Sequence, residues 1–266
     1  MGSDPLDTEA MELKEKRIIV TGCASGMGAA TVRAYVKAGA QVVGMDISEA
    51  AGNEACANAE GAGTVTFLPV DVADTDRVQE TFGAAVDLMG GLDALAHPAG
   101  IHASNSPSEV SAADWDHLFA VNVRGTMLTN QTAHKYLKDA GGGGIINFGS
   151  ISGQRPEPSA AAYSASKGAV HAWTRTAAGA WGVDNVRVNA VLPAIRTPMF
   201  EAAKVGLSEE ELNMKHWRNE QNIALGQEYG DPDRDLGPVM VFLASDASRF
   251  ITGQLIPVDG GQSNVR

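Results

Sequence analysis

Tyr163 and Lys167 stand four residues apart in Tyr163-Ser164-Ala165-Ser166-Lys167. On a helix, that spacing puts a phenol and an ammonium on one face. A free tyrosine titrates near ~10 and is a poor base at neutral pH. A neighbouring ammonium, joined by a second positive charge in the same cleft, favours the phenolate. Lowering the phenol by ~3 units takes roughly 4 kcal/mol, which two cations within ~5 Å in a partly dry cleft can supply. Such a phenol takes a proton from an alcohol as hydride leaves its carbon, or returns one to a carbonyl. Taken alone, the pair is an ordinary exposed helix pair. It gains weight from Ser150, which ends the apolar run Ile145–Phe148 plus Gly149 and places a hydroxyl where open α/β sheets bind ligands.

A second group of residues has the pattern of an anion seat. The run Arg17–Thr21 leads into Thr21-Gly22-Cys23-Ala24-Ser25-Gly26-Met27-Gly28, and a helical pattern follows at once. Glycines in a strand-to-helix turn admit a pyrophosphate close to the backbone, with helix N-terminal amides facing it. Asp46 ends the next strand-like run, eighteen residues after Gly28. A carboxylate there accepts both adenosine ribose hydroxyls and repels a 2′-phosphate, so NAD is expected over NADP. Ser25 agrees, because the loop holds no Arg or Lys. Asp71, closing the third run, is read either as a contact to the adenine amino group or as a helix cap.

These residues need a scaffold, and the pattern supplies one. Seven short β-type runs are expected at Arg17–Thr21, Gln41–Asp46, Thr64–Val70, Leu92–Ala96, Ile145–Phe148, Val186–Leu192 and Leu255–Val258. Helical spacing is clearest over Ala29–Ala38, Asp74–Met89, Trp115–Leu137 and Ala161–Trp181. Alternation of this kind implies βαβ units: an α/β fold with one doubly wound, Rossmann-type parallel sheet of about seven strands flanked by helices. Gly141–Gly144 reads as a turn. Residues 1–10 read as a disordered extension or a cloning remnant, and 11–266 as the single domain. Residues 198–230 are too long for an ordinary connection and hold Met199, Phe200, Met214 and Trp217 among many charges. They read as a small helical substrate lid.

Composition narrows the function further. The net charge is −12, which disfavours nucleic acid and anionic membranes as partners. The longest apolar runs fall short of the ~20 residues of a membrane span, and no signal peptide is evident. Cys23 and Cys56 lack CxxC spacing or metal-ligand company, so no metal is expected, and two reduced thiols in a cytoplasmic protein are.

Together these motifs resemble the short-chain dehydrogenase/reductase family, from about Met11 to the C-terminus. The TGxxxGxG loop is Thr21–Gly28. The family's catalytic Asn, Ser, Tyr and Lys fall on Asn122, Ser150, Tyr163 and Lys167, with the usual thirteen residues from Ser150 to Tyr163. Ile251-Thr252-Gly253-Gln254 and Val258-Asp259-Gly260-Gly261 also match. The resemblance implies that Asn122 bends a helix and holds a water in the proton path. It also implies a homotetramer or homodimer built on Trp115–Leu137 and Ala161–Trp181. Expected cofactor contacts are Gly22, Ser25, Gly26, Met27, Gly28, Asp46, Ile47, Asp71, Val72, Ala99, Gly100, Tyr163, Lys167, Ile195 and Thr197.

Two stretches depart from the family. His97-Pro98-Ala99-Gly100 replaces Asn-Asn-Ala-Gly, and His97 reads as structural. Leu192-Pro193-Ala194-Ile195-Arg196-Thr197 lacks the usual Pro-Gly turn. The expected substrate is a small or medium, largely apolar alcohol or ketone. Candidate contacts are His102, Ser152, Gln154, Met199, Phe200, Met214 and Trp217. Reduction of a 3-oxoacyl group on an acidic carrier protein ranks second, because Ala177–Asn185 has no basic residue to dock one. A non-catalytic dinucleotide sensor ranks third.

Overall fold

A computed structural model describes residues 12–202, 205, 208–210, 220 and 222–263, with the side chain of Met199 left out. Strands β1 (Arg17–Thr21), β2 (Gln41–Asp46), β3 (Thr64–Pro69), β4 (Ala94–His97), β5 (Gly143–Phe148), β6 (Val186–Pro193) and β7 (Leu255–Val258) form one sheet. Its order is β3-β2-β1-β4-β5-β6-β7, and every pairing is parallel. The strands are apolar on both faces because helices cover both.

Alternating side chains feed two cores. Ile18, Val20, Val42, Ile146 and Val191 point to one side, against Val32, Tyr35 and Val36 of α1 (Gly26–Lys37). Met240 and Leu243 of a late helix, Gly237–Ala244, complete that side. Ile19, Val43, Leu95, Ile145 and Val188 point the other way. There they meet Phe82 and Ala85 of α3 (Thr75–Met89), Leu128 and Leu137 of α5 (Gly125–Asp139), and Ala177 and Ala178 of α6 (Ala161–Trp181). Each fully enclosed Ile or Leu contributes about 2 kcal/mol of burial.

Local chemistry sets the element ends. Asp74 caps α3 by accepting from the backbone of Asp76 and Arg77, and Gly90 stops it at φ 74°. A helix not among the clearest sequence signals, α2 (Glu49–Ala57), lies over β3. Its Gly52 leaves the room that the Phe67 ring occupies, since a Cβ there would stand 2.0 Å from the ring.

Two expectations are corrected. The helix expected over Trp115–Leu137 is interrupted: α4 (Ala112–Phe119) passes through a π-helical turn, Ala120–Arg124, into α5. The turn holds Asn122, so the bend implied by the family resemblance is present. The Gly141–Gly144 cluster is only partly a turn. Gly143 and Gly144 pair in register with Val186 and Arg187 of β6, and a Cβ at Gly143 would lie 2.5 Å from the Asp93 carbonyl. Glycine there permits strand pairing rather than ending it. Of residues 198–230, the described part includes α7 (Pro198–Ala202) and an isolated parallel bridge between Ile195 and Gly230.

Candidate active site

The strand order reverses between β1 and β4, and the crevice beyond their carboxyl ends is where doubly wound sheets bind ligands. The phosphate loop stands there. Gly22 and Gly26 hold φ of +62° and +52°, values that L side chains rarely adopt. A Cβ on Gly22 would press to 2.7 Å on Ala99, and one on Gly28 would fall 1.8 Å from the Gly22 carbonyl. The loop is therefore closed tightly against the end of β4. Ser25 precedes α1 without a side-chain capping bond, and the first turn carries no acid. Its first amides thus lack intrahelical partners and face outward. That is an electropositive cradle with room for backbone approach, and it fits a dinucleotide pyrophosphate.

Asp46 lies at the rim of this cradle. Its carboxylate accepts from Ala24 N at 3.0 Å and Ser48 N at 2.9 Å, which fixes its orientation. Ile47 beside it is 72% exposed, an apolar surface suited to an adenine ring. Asp71 behaves differently: it turns back to accept from Ala73 N at 2.8 Å. This supports a turn-forming reading of Asp71, while α3 is capped by Asp74. Val72 is buried against the Gly125 backbone. Across the cleft, Thr197 lies 3.5 Å from the Cβ position of Gly26. Ile195 is pinned by backbone bonds from Arg196 N to Gly230 O and from Gly230 N to Ala194 O. The short Pro193-Ala194 turn thus still delivers residues 195–197 to the loop.

The four candidate catalytic residues converge. Ser150 follows β5, and its hydroxyl is close enough to the Tyr163 hydroxyl to draw the phenol down. The Ser150 hydroxyl also accepts from Ser152 N at 3.2 Å. Lys167 is buried; its Nζ donates to the Phe148 carbonyl at 2.8 Å and lies 5.6 Å from the Tyr163 ring centre. Asn122 is locked by Ile101, accepting from its N–H at 2.8 Å and donating to its carbonyl at 2.9 Å. It also donates to Ser166 Oγ at 3.1 Å. A Cβ at Gly100 would stand 3.2 Å from Asn122 Oδ1 and 3.6 Å from Lys167 Nζ, so Gly100 borders both.

Burial raises the Tyr163 phenol above its ordinary value, and the opposing pull comes from the Ser150 hydroxyl. The ammonium, held to the β5 carbonyl, does not by itself bring the phenol into the neutral range. Lys167 is lowered to about 8 by burial.

His97 is buried, with Nδ1 2.7 Å from Thr21 Oγ1 and 3.3 Å from Thr129 Oγ1. Its Nε2 has no partner among the described residues. Burial and the nearby Lys167 charge push it down to about 3. It is therefore a neutral histidine joining β1, β4 and α5, which agrees with the structural reading.

Among the candidate substrate residues, the His102 ring packs on Tyr163 at 4.6 Å between centres. Gln154 is exposed at the end of the turn that carries Ser152. The Phe200 ring packs at 4.4 Å on Tyr229. Met214, Trp217 and the Met199 side chain lie outside the described residues.

Sequence reading missed two residues. Tyr229 hydrogen-bonds to Gln262 and lies within the electrostatic reach of Arg155 and Glu157, just past the serine-bearing turn. His171 accepts from Ser150 N at 3.3 Å and fills the space left open by Gly149 and Gly153. Its position, four residues after Lys167 on the same helix face, was a signal available in the sequence. Among the described residues, no cluster could hold a metal ion and no helix is long and apolar enough to cross a membrane.

With this geometry in place, comparison with known proteins is informative. Residues 22–263 match the family profile described as enoyl-(acyl carrier protein) reductase. The chain is 35% identical to the 3-oxoacyl-[acyl-carrier-protein] reductase of Thermotoga maritima, over 94% of this chain and 99% of that one. It is 33% identical to the cis-4-hydroxycyclohexanecarboxylate dehydrogenase of Sinomonas cyclohexanicum, over 94% and 98%. A short-chain type dehydrogenase/reductase from Mycobacterium marinum superposes with a TM-score of 0.87 at 30% identity, covering 96% of this chain and 98% of that one.

The chain belongs to the short-chain dehydrogenase/reductase family. It is an oxidoreductase acting on alcohol and carbonyl groups, and membership implies an NAD(P) cofactor.

Proposed function

We propose that the protein transfers hydride between NAD(H) and the carbinol or carbonyl carbon of a small or medium, largely apolar alcohol or ketone. The observation that carries this reading is the pairing of the Ser150 and Tyr163 hydroxyls beside a buried Lys167 at the crossover of the sheet. Gly22, Ser25, Gly26, Met27 and Gly28 would hold the pyrophosphate. Asp46 and Ile47 would hold the adenosine, with Ala99, Gly100, Ile195 and Thr197 along the remaining edge. When bound, the cofactor accepts or delivers the hydride and, oxidised, adds positive charge to the cleft.

The chain's own residues handle the proton. Ser150 donates to the substrate oxygen and orients it. Tyr163 Oη exchanges the proton with that oxygen. Lys167 is anchored by Phe148 and stabilises negative charge on the phenol. His102 and Phe200 offer apolar surface for the substrate's remaining bulk.

NAD is preferred on this reading because Asp46 presents a fixed carboxylate to the ribose. A 2′-phosphate charge at ~4 Å from it meets repulsion of roughly 4 kcal/mol. Asp46→Asn keeps the shape and removes the charge. It is expected to lower the ratio of kcat/KM for NAD to that for NADP by about 10²-fold, measured by initial rates with both cofactors. A parent enzyme that prefers NADP would remove the role given to Asp46.

Names of relatives leave the substrate open: an acyl carrier protein, a cyclohexane carboxylate and, in a 34% identical relative from Mycolicibacterium smegmatis, D-threitol. A turnover screen with NAD and NADP over alcohols, sterols and acyl thioesters decides. Turnover confined to acyl thioesters would favour the carrier-protein reading over this one.

The reading also includes a cytoplasmic homotetramer or homodimer. Phe119, Val123, Met127 and Trp173 line an apolar groove beside α5 and α6, which supports burial against a second copy. Light scattering of the purified chain is expected to give the mass of two or four copies, and a monomer at micromolar concentration would count against it.

A further inference from the structure

We infer that Cys23 and Cys56 form a redox-active dithiol that closes to an intramolecular disulfide, tying α2 to the phosphate loop. The effect on dinucleotide binding rests on the reading of that loop given above; the disulfide itself does not. Cys23 follows the first glycine of the loop, and its N–H donates to the Met45 carbonyl of β2 at 3.1 Å. Cys56 sits at the end of α2. The two come from different elements onto one face of β2 and meet over Gly44. A Cβ at Gly44 would stand 2.7 Å from Cys56 Sγ and 3.0 Å from Cys23 Sγ, so both sulfurs crowd the one point that glycine leaves open.

The two thiols are close enough to shift one another's ionisation in opposite directions, and both are free. Cys23 draws the Cys56 thiol below its ordinary value, while Cys56, burial and the Asp46 charge keep Cys23 protonated. Cys23 is fully enclosed and Cys56 is 6% exposed, so an oxidant reaches Cys56 first. The chain has no other cysteine, so only one intramolecular product exists.

With a peroxide as oxidant, the Cys56 thiolate attacks one oxygen, the O–O bond breaks, and the sulfenic acid forms as hydroxide leaves, taking up the proton the thiol had released to depart as water. The Cys23 sulfur then attacks that sulfenic sulfur. The S–S bond forms, the S–O bond breaks, and the oxygen leaves as water with the Cys23 proton. Closure draws the two sulfurs together to about 2.05 Å. β2 is paired on both sides, so the loop and α2 must take up the movement. The next residue, Ala24, donates to Asp46, and closure therefore disturbs both the loop amides and the ribose carboxylate.

The reduced protein is treated with stoichiometric hydrogen peroxide and digested without reduction. The expected product is a cross-linked peptide pair, Cys23 with Cys56, two hydrogens lighter and released by dithiothreitol. Cys56→Ser, or Cys56→Ala if the first variant does not fold, is expected to abolish it. NADH titration is expected to weaken about tenfold on oxidation and to recover on reduction. Alkylatable thiols after peroxide, over-oxidised Cys56 without a cross-link, or a cross-link formed only in urea would overturn the dithiol. Unchanged NADH affinity in the cross-linked protein would overturn its coupling to the loop. A reduced protein that binds no NADH would fail the cofactor reading separately, with the cross-link still deciding the dithiol.

Discussion

Tyr163→Phe is expected to lower kcat by about 10³-fold, some 4 kcal/mol of transition-state stabilisation, with dinucleotide affinity unchanged. The substitution removes one oxygen and keeps the ring that packs on His102, so the cleft keeps its shape. It removes the one group in the cleft placed to exchange a proton with a substrate held by Ser150. In the chain alone the phenol is raised by burial and is therefore protonated at neutral pH. The base form needed for alcohol oxidation grows with pH, so kcat/KM for oxidation should rise with pH in the parent. Reduction uses the protonated phenol and should fall. Residual oxidation by the variant should lose the parent's pH slope. Initial rates in both directions across the neutral to alkaline range check this. A variant within about tenfold of the parent, or one with the same slope, would remove Tyr163 from the proton transfer.

Why the phenol and its partners were legible in sequence, while other features were not, has a physical basis. The pair at 163 and 167 is fixed by helix geometry, and Ser150 by the end of an apolar run. Such local rules survive any packing. The face that His171 shares with Lys167 was readable from the four-residue spacing, but its contact with Ser150 depends on how α6 lies against β5. The bend at Asn122 was implied by the family resemblance, while local spacing hid its π-helical form because the apolar pattern continues through it. Only the separate docking of α4 and α5 reveals the extra residue. Gly143 and Gly144 read as a turn by composition, yet the neighbouring strands draw them into the sheet. Asp71 carried two readings because a carboxylate at a strand end serves either a ligand or its own turn, and its bond to Ala73 lies two residues away.

Acid should destabilise this protein earlier than its carboxylates alone would. His97 and His171 are buried, with values lowered to about 3 and about 4. The causes are burial in both cases, with Lys167 facing His97, and Arg175 and Lys167 facing His171. His97 is doubly penalised, because its Nε2 has no acceptor among the described residues to receive a second proton's bond. The unfolded chain takes up these protons below the ordinary value of 6.5, whereas the native chain resists until about pH 4 and 3. More protons are thus bound by the unfolded state, and stability falls as pH falls through that window. At pH 5 each histidine should cost about 2 kcal/mol relative to neutral pH. Together that is a large share of the roughly 5–15 kcal/mol that holds a domain folded. His97→Asn with His171→Gln removes both protonations and keeps an acceptor for Ser150 N. In urea titrations at pH 7 and pH 5, the parent's loss of unfolding free energy should exceed the double variant's by about 4 kcal/mol. Equal losses would mean that neither imidazole is held neutral by the fold.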